Sequence, residues 1–359
     1  MLLNSDRANL FQNLETSGVP SGALERLAAI GITTLAELRD HWEYGNRQLI
    51  VEYLGESPLR LVSAAPSRLL ATRGAGAVGS GLVHLLEAGR ARPLVKHARG
   101  VLVSAAERAS AAVAPEPLPA AAASRAAATT TTVSLIPRFP AIRNQQHRGT
   151  CVAFASVAYL EFHLNAGSTG VAQRFSEQFV YWGCKSDDGM ATLEGTFVST
   201  ARQVLKARGS CLGKSWKYNP LPIPGNESQG PPPAGAEAAA KPFVIAAKTV
   251  AAKNPDRLRE QLDAGRPVVL SVKTFPSWNY PTTNDTGEIP MPIPGEKSDG
   301  GHAICVVGYE LNPRMPGGGA FLIRNSWGTA WAKPNGRFTD GYGTLFFAYV
   351  KKYGLEAYA

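Results

Sequence analysis

The stretch that decides the fold is Asn144-Gln145-Gln146-His147-Arg148-Gly149-Thr150-Cys151-Val152-Ala153-Phe154-Ala155-Ser156. Its first half is polar and contains a glycine, whereas its second half is largely apolar, so the pattern predicts a loop that becomes a helix at Cys151. Thr150 is a favourable N-cap residue for this helix. A cysteine in the first turn lies near free backbone N–H groups and the positive end of the helix dipole, and both favour the thiolate. The stretch therefore predicts a nucleophilic cysteine.

Two motifs far downstream carry residue types that a thiol nucleophile needs. Gly300-Gly301-His302 opens an apolar run, and Arg324-Asn325-Ser326-Trp327-Gly328 follows it. His302 can act as general acid and base, while Asn325 can hold the imidazole in place without titrating. Gln145 can direct its amide at an oxyanion, together with the backbone N–H of Cys151. These residues together predict thiol acyl transfer, with water as the usual acceptor.

In this order the motifs resemble the papain-like cysteine peptidases (family C1), of the bacterial type. The resemblance covers about residues 133–359 and implies an α+β fold with two lobes, one helical and one of antiparallel β-strands, with the active-site cleft between them. It implies an endopeptidase that forms a thioester, acts on peptides or proteins and needs no cofactor or metal. The implied site residues are Cys151 as nucleophile, His302 as acid/base, Asn325 as the residue that orients it, Gln145 in the oxyanion hole, and Gly195 and Trp327 as substrate-binding residues.

The periodicity of residues 133–359 agrees with this fold class. A helix is predicted over about 196–207, and helices precede strands along the segment, which favours α+β. Short apolar runs predict strands at Val268–Val272, Ala303–Tyr309, Ala320–Arg324 and Tyr342–Val350. The Pro- and Gly-rich stretch 219–242 is predicted to be a solvated loop.

Departures from the family pattern leave two other functions open. Val152 replaces the tryptophan that follows the nucleophile, and the glycine strip that pairs with substrate is reduced to Glu194-Gly195. The alternatives are a catalytically silent peptide-binding module and an enzyme that transfers the acyl group to an amine. His147 is nearer to Cys151 in sequence than His302 is, but on a glycine-containing loop it is predicted to face solvent.

The four cysteines are expected to have unequal roles. The family's disulfide-forming cysteine, three residues before the nucleophile, is replaced by Arg148, which fits a reducing compartment. Cys305 lies in an apolar run and is predicted to be a core residue. Cys184 and Cys211 could form a bridge in an exported protein, but free thiols are the preferred prediction. No CxxC pair points to zinc.

Residues 1–110 are predicted to form a small all-α domain. A helix capped at Ser21 ends near Gly31, and a second begins after Thr34, so that about residues 20–60 resemble a helix-hairpin-helix unit. This unit is expected to dock a protein partner rather than to control a zymogen, since its charge is too small to favour nucleic acid. Residues 111–132 contain 17 Ala, Pro or Thr among 22 and read as a linker.

Composition excludes several classes of protein. The net charge is +9, and residues 133–359 hold 24 basic against 17 acidic side chains, an excess that favours acidic substrates over nucleic acid. The first residues reach Asp6 before any apolar run, and no stretch of about 18 apolar residues occurs, so a soluble cytoplasmic protein without membrane contact is expected. The glycine motif at 74–79 lacks a preceding strand and is assigned no cofactor.

Overall fold

The computed structural model describes residues 21–54, 93–102, 132–167, 171–332 and 340–359. Three helices occupy its N-terminal part, α1 (Ser21–Ala29), α2 (Leu35–Tyr44) and α3 (Arg47–Leu54). Thr34 caps α2 in a capping box with Glu37, as the sequence predicts for this helix start. Gly31 ends the first helix with φ +76°, a conformation that suits glycine.

These three helices pack on the β lobe rather than standing apart from it. Leu27, Leu38 and Ile50 lie in one apolar cluster with strand residues such as Val306. The N–H of Met291 donates to the carbonyl of Ile30 at 3.0 Å. The described part of residues 1–110 therefore shares a core with the following domain, while the proposed domain boundaries at 110 and 133 stay predictions.

The helical lobe consists of α4 (Cys151–Leu164), α5 (Glu177–Asp187), α6 (Val198–Ala207) and the short α7 (Ala236–Ala240). Every residue of α4 from Cys151 to Phe162 is buried, because this helix lies between α5 and α6 on one side and the sheet on the other. Thr150 occupies the N-cap position of α4, but its side chain makes no capping bond; its hydroxyl lies 2.8 Å from the Tyr218 hydroxyl instead.

The β lobe contains a seven-stranded sheet within the described residues, in the order β3-β6-β5-β4-β2-β7 with β1 also paired to β4. All pairs are antiparallel except β3 with β6, so the predicted antiparallel lobe is in fact mixed. The strands are β1 (Thr132–Ser134), β2 (Val268–Thr274), β3 (Glu288–Ile289), β4 (Gly300–Leu311), β5 (Gly319–Arg324), β6 (Tyr342–Phe346) and β7 (Gly354–Tyr358).

Helices α8 (Pro255–Asp263), α9 (Pro281–Thr286) and α10 (Phe347–Tyr353) complete the lobe. The predicted strand Tyr342–Val350 is therefore wrong beyond Phe346. Tyr349 explains the difference, because in α10 its hydroxyl donates to the Lys273 carbonyl at 2.8 Å and accepts from Trp278 at 2.7 Å. An apolar run alone does not distinguish a strand from a buried helix.

The two lobes meet along α4, which packs against β4 and β2. Arg143, in the loop before α4, forms ion pairs with Glu161 on α4 and Glu177 on α5. The α+β class and the two-lobed arrangement are as the sequence predicts. Among the described residues, no helix has both the length and the apolar character needed to cross a bilayer.

Candidate active site

Cys151 is the first residue of α4 and is completely buried. Its Sγ accepts the N–H of Ala303 at 3.4 Å, which brings the start of α4 to the strand that carries His302. Burial raises the pKa of the Cys151 thiol to about 11, although several backbone N–H groups, including those of Ala303 and Gly100, act in the opposite direction. In this closed arrangement the sulfur is a neutral thiol at neutral pH.

His302 and Asn325 form the hydrogen bond that the sequence predicts. His302 Nε2 lies 2.8 Å from Asn325 Oδ1, and because this oxygen only accepts, Nε2 carries the proton. The neutral ring then has its lone pair on Nδ1, which is buried and has no hydrogen-bond partner among the described residues. Burial lowers the pKa of His302 to about 3, with further lowering by the charges of Arg99 and His97. In this closed arrangement the ring is therefore neutral and a weak base, and Nδ1 is the nitrogen left free for a proton.

Trp327 covers the imidazole and its bond to Asn325. Its ring lies 4.6 Å from the His302 ring, and Trp278 approaches the same histidine edge-on at 5.6 Å. Both tryptophans are buried. Their rings shield the His302–Asn325 hydrogen bond from water.

Gln145 points its amide into the cleft and is held there by Ser326. The Gln145 N–H donates to the Ser326 carbonyl at 2.8 Å, and the Ser326 hydroxyl donates to Gln145 Oε1 at 2.5 Å. This second bond fixes which end of the amide faces outward. Gln145 Nε2 then donates to the carbonyls of Arg148 at 2.9 Å and Ala98 at 3.1 Å. A backbone carbonyl in the cleft is thus bound by the predicted oxyanion-hole residue.

That carbonyl belongs to residues 93–102, which run through the cleft and which we call the cleft segment. His97 stacks on Trp327 with ring centroids 4.2 Å apart, and Trp327 Nε1 donates to the Ala98 carbonyl at 3.2 Å. Gly100 lies against the catalytic loop so closely that a Cβ there would be 1.7 Å from the Gly149 carbonyl oxygen. The segment therefore covers Cys151 and passes on both sides of it.

Thr196 pairs with the backbone of the cleft segment. Its N–H donates to the Gly100 carbonyl at 2.9 Å, and its carbonyl accepts the N–H of Leu102 at 3.1 Å. The predicted partner, Gly195, uses its own N–H on the Tyr181 hydroxyl and its carbonyl on Lys185. Gly195 supplies clearance instead, since a Cβ there would approach the Gly100 carbonyl oxygen to 2.7 Å. The structure thus moves the backbone pairing from Gly195 to Thr196.

Arg148 takes the place of the missing cysteine as a structural link. Its side chain is buried and donates to the Gln178 side chain at 2.8 Å and to the carbonyls of Asn219 and Glu227, each at 2.9 Å. These bonds hold part of the 219–242 stretch on the helical lobe, so this stretch is anchored rather than simply solvated. All four cysteines are free, as preferred for Cys184 and Cys211, and Cys305 is in the core as predicted.

The remaining sequence predictions concern His147 and two segments of the N-terminal half. His147 is exposed, as expected. The glycine motif at 74–79 and nearly all of the 111–132 linker lie outside the described residues. Sequence reasoning missed the cleft segment, Thr196 and the positioning role of Ser326; only Ser326 carried a signal, because it adjoins Asn325 in the motif. No cluster of His, Cys, Asp or Glu suited to a metal ion occurs among the described residues.

Comparison with known proteins agrees with this geometry. The chain is 26% identical over 219 residues to an uncharacterised peptidase C1-like protein of Acanthamoeba polyphaga mimivirus, and the match covers 58% of this chain and 65% of that protein. Among solved structures, xylellain, a cysteine protease from Xylella fastidiosa, matches with TM-score 0.57 and 22% identity over 75% of this chain and 98% of its own. At this level of identity, the likeness to xylellain shows a shared fold and no more. Residues 135–346 match the model of the papain family of cysteine proteases, and the chain belongs to that family.

Proposed function

We propose that this chain is a cysteine peptidase that hydrolyses peptide bonds through a thioester on Cys151. One observation carries the proposal: a backbone carbonyl, that of Ala98, accepts the Gln145 amide in a cleft where Gly100 lies at the nucleophile. A peptide chain is therefore the kind of ligand that this cleft accommodates.

The reaction follows from the protonation states of the two central residues. Once the cleft is open, Cys151 transfers its proton to His302 Nδ1, and the thiolate attacks the substrate carbonyl carbon. The C–N bond breaks as the imidazolium gives its proton to the leaving amine, and water then hydrolyses the thioester with His302 as base. Asn325 keeps Nε2 occupied throughout, so that Nδ1 serves the proton transfers. Gln145 Nε2 and the Cys151 N–H stabilise the oxyanion, and loss of one such donor typically costs about 10²–10³ in rate.

An endopeptidase is favoured because the cleft admits a chain on both sides of Cys151. The cleft segment runs from Trp327 on one side to Thr196 on the other, which shows that both sides accept a chain, although a substrate is proposed to run in the opposite direction. In the proposed binding mode the acyl part of a substrate pairs with Thr196, and the leaving peptide lies beside Trp327.

The test is covalent labelling with an epoxide-type thiol inhibitor, followed by peptide mapping. We expect Cys151 to be labelled and peptide cleavage to be lost in Cys151→Ala, while Cys184→Ala, which changes another buried free cysteine, retains both. The parent chain is compared with Gly100→Val, in which the new side chain would collide with Gly149 and prevent the cleft segment from docking. Absence of both labelling and cleavage in the two proteins overturns the proposal.

The same assays separate the two alternative functions. A silent binding module would bind peptides equally well before and after Cys151→Ala, without turnover by either protein. An acyltransferase would yield peptidyl amides as its main products when an amine is added. We expect free carboxylic acid products to predominate.

A further inference from the structure

The cleft holds an acidic pocket beside the catalytic histidine, next to Trp327. Its walls are Thr274 at the end of β2 and Asp299 just before β4. The pocket is occupied by Arg99 of the cleft segment, which forms an ion pair with Asp299. Arg99 also donates to the Thr274 hydroxyl at 2.9 Å. Only 12% of the Arg99 side chain is exposed, whereas 33% of the Asp299 side chain is, so the contact is partly shielded from solvent.

The strand pairing places the pocket beside the catalytic residues, since Thr274 pairs with Gly300 and Val272 pairs with His302. The charge of Arg99 also contributes to lowering the pKa of His302.

The way Arg99 is bound indicates what the pocket recognises. A single nitrogen, Nη1, makes the contacts with both Thr274 and Asp299. The other two guanidinium nitrogens, Nε and Nη2, are buried without hydrogen-bond partners among the described residues. Since one positively charged donor satisfies both acceptors, a lysine ammonium meets the same requirement as an arginine fork.

We propose that Thr274 and Asp299 select a basic side chain, arginine or lysine, on the first residue of the leaving peptide. The proposal rests on the proposed peptidase function, in which the leaving peptide occupies the Trp327 side of the cleft. The cleft segment runs from Trp327 to Thr196, opposite to the direction proposed for a substrate, so Arg99 marks where the pocket lies and not the path of a substrate backbone. A substrate side chain adjoining the scissile bond on that side meets the same two acceptors. Asp299 is thus a specificity-determining residue, and its carboxylate favours a cation in a partly shielded site.

The test compares four peptide mixtures that differ only in the residue after the scissile bond, which is Arg, Lys, Gln or Glu. The acyl side is randomised, and mass spectrometry of the products identifies the bond cleaved. The measured quantity is the ratio of kcat/KM between mixtures within one protein sample. This ratio is independent of how many molecules have released their own cleft segment.

In the parent chain we expect Arg and Lys to be preferred over Gln by about tenfold, with Glu the poorest, as for a charge-assisted hydrogen bond in a partly shielded site. Asp299→Asn should bring the Arg/Gln ratio to within about twofold of one, whereas Asp299→Glu retains the preference. The control Asp256→Asn removes the same charge from the exposed surface of α8 and should leave the ratio unchanged.

Two outcomes overturn the proposal while leaving the peptidase function intact. One is cleavage of all four mixtures at similar rates by the parent chain. The other is an Arg preference that survives in Asp299→Asn. A failure to cleave any mixture, together with no labelling of Cys151, overturns both this proposal and the peptidase function.

Discussion

Arg148 is a single residue that connects the loop before α4 to two other parts of the helical lobe. It reaches α5 through Gln178 and the 219–242 stretch through two backbone carbonyls. Its guanidinium also lies over the rings of Tyr181 and Tyr218, at 5.1 and 5.4 Å from their centroids. The Arg148 side chain therefore cross-links this region beside the nucleophile through hydrogen bonds, where a disulfide would do so through redox chemistry.

Removal of this guanidinium leaves three acceptors, one buried and two partly buried, without their donor. We expect Arg148→Ala to lower the free energy of unfolding by about 1–3 kcal/mol, as is typical when acceptors inside a protein lose their donor. Arg148→Lys should recover only part of the loss, because an ammonium lacks the planar fork. Urea denaturation measures both changes, and hydrogen exchange should show faster opening of residues 219–230.

The control for this prediction is Arg257→Ala. Arg257 is 61% exposed and pairs with Glu260 on the surface of α8, so its loss should cost less than about 1 kcal/mol. Equal effects of the two substitutions would show that Arg148 is not a structural link. Because the link is not a disulfide, reductant should leave the unfolding free energy of the parent chain unchanged.

The site residues differ in how far local sequence reveals them. Cys151, His302 and Asn325 each carry a local signal, such as a helix start or a motif. Thr196 pairs with the cleft segment through its backbone, which any residue type supplies, so no side chain marks it. Arg99 meets Asp299 across 200 positions of sequence, and a contact of that kind depends on the path of the chain through the cleft.

At the scale of elements, capping and periodicity explain which predictions succeed. Thr34 starts α2 because its side chain and that of Glu37 satisfy each other's backbone N–H groups, and this pattern is visible locally. The ends of strands β2, β4 and β5 lie within three residues of the predicted ends. The run after Phe346 is apolar in either conformation, so the choice of helix depends on Tyr349 and its distant partners.

Helix α2 also tests whether the N-terminal helices are a separate unit. Leu38 is completely buried in the cluster that contains the sheet residues. We expect Leu38→Ala to lower the free energy of unfolding by about 2–5 kcal/mol through loss of apolar contacts and formation of a cavity. The helices and the sheet should unfold together, so the urea midpoint at which the Cys305 thiol in β4 becomes reactive should fall as well.

A matched Leu→Ala substitution at Leu221, which is 60% exposed, should change stability by less than about 0.5 kcal/mol. An unchanged Cys305 midpoint in Leu38→Ala, with loss of helical signal alone, would mean that residues 21–54 fold as an independent domain.

At the scale of the whole molecule, the region before residue 110 contributes to the site itself. The sequence predicts a docking domain without control of the peptidase, yet residues 97–102 lie across Cys151 and Trp327. No sequence motif in this region predicts that residues 97–102 lie in the cleft, because glycine, arginine and histidine are common in loops of every kind. Docking of a protein partner by the helices stays a prediction, and it is compatible with a segment that blocks the cleft.

The cleft segment is expected to keep the enzyme latent, and Gly100 is the position at which this can be tested. A side chain at residue 100 would collide with the backbone of Gly149, which cannot move without disturbing the catalytic loop. We expect Gly100→Val to displace the segment and to raise both the alkylation rate of Cys151 and the rate of peptide cleavage at least about tenfold, which corresponds to a docking loss of about 1.4 kcal/mol or more.

Exposure of the site also changes the two pKa values in a defined direction. In the closed form burial holds the Cys151 pKa at about 11 and the His302 pKa at about 3, so the pair is neutral near pH 7. Solvent stabilises the charged forms, so in Gly100→Val the thiol pKa falls and the imidazole pKa rises. The pH dependence of Cys151 alkylation should therefore shift toward lower pH in the variant. Gly22→Ala, where a Cβ meets nothing within 4 Å, is the control. Identical alkylation profiles for Gly100→Val and Gly22→Ala would refute latency through the cleft segment.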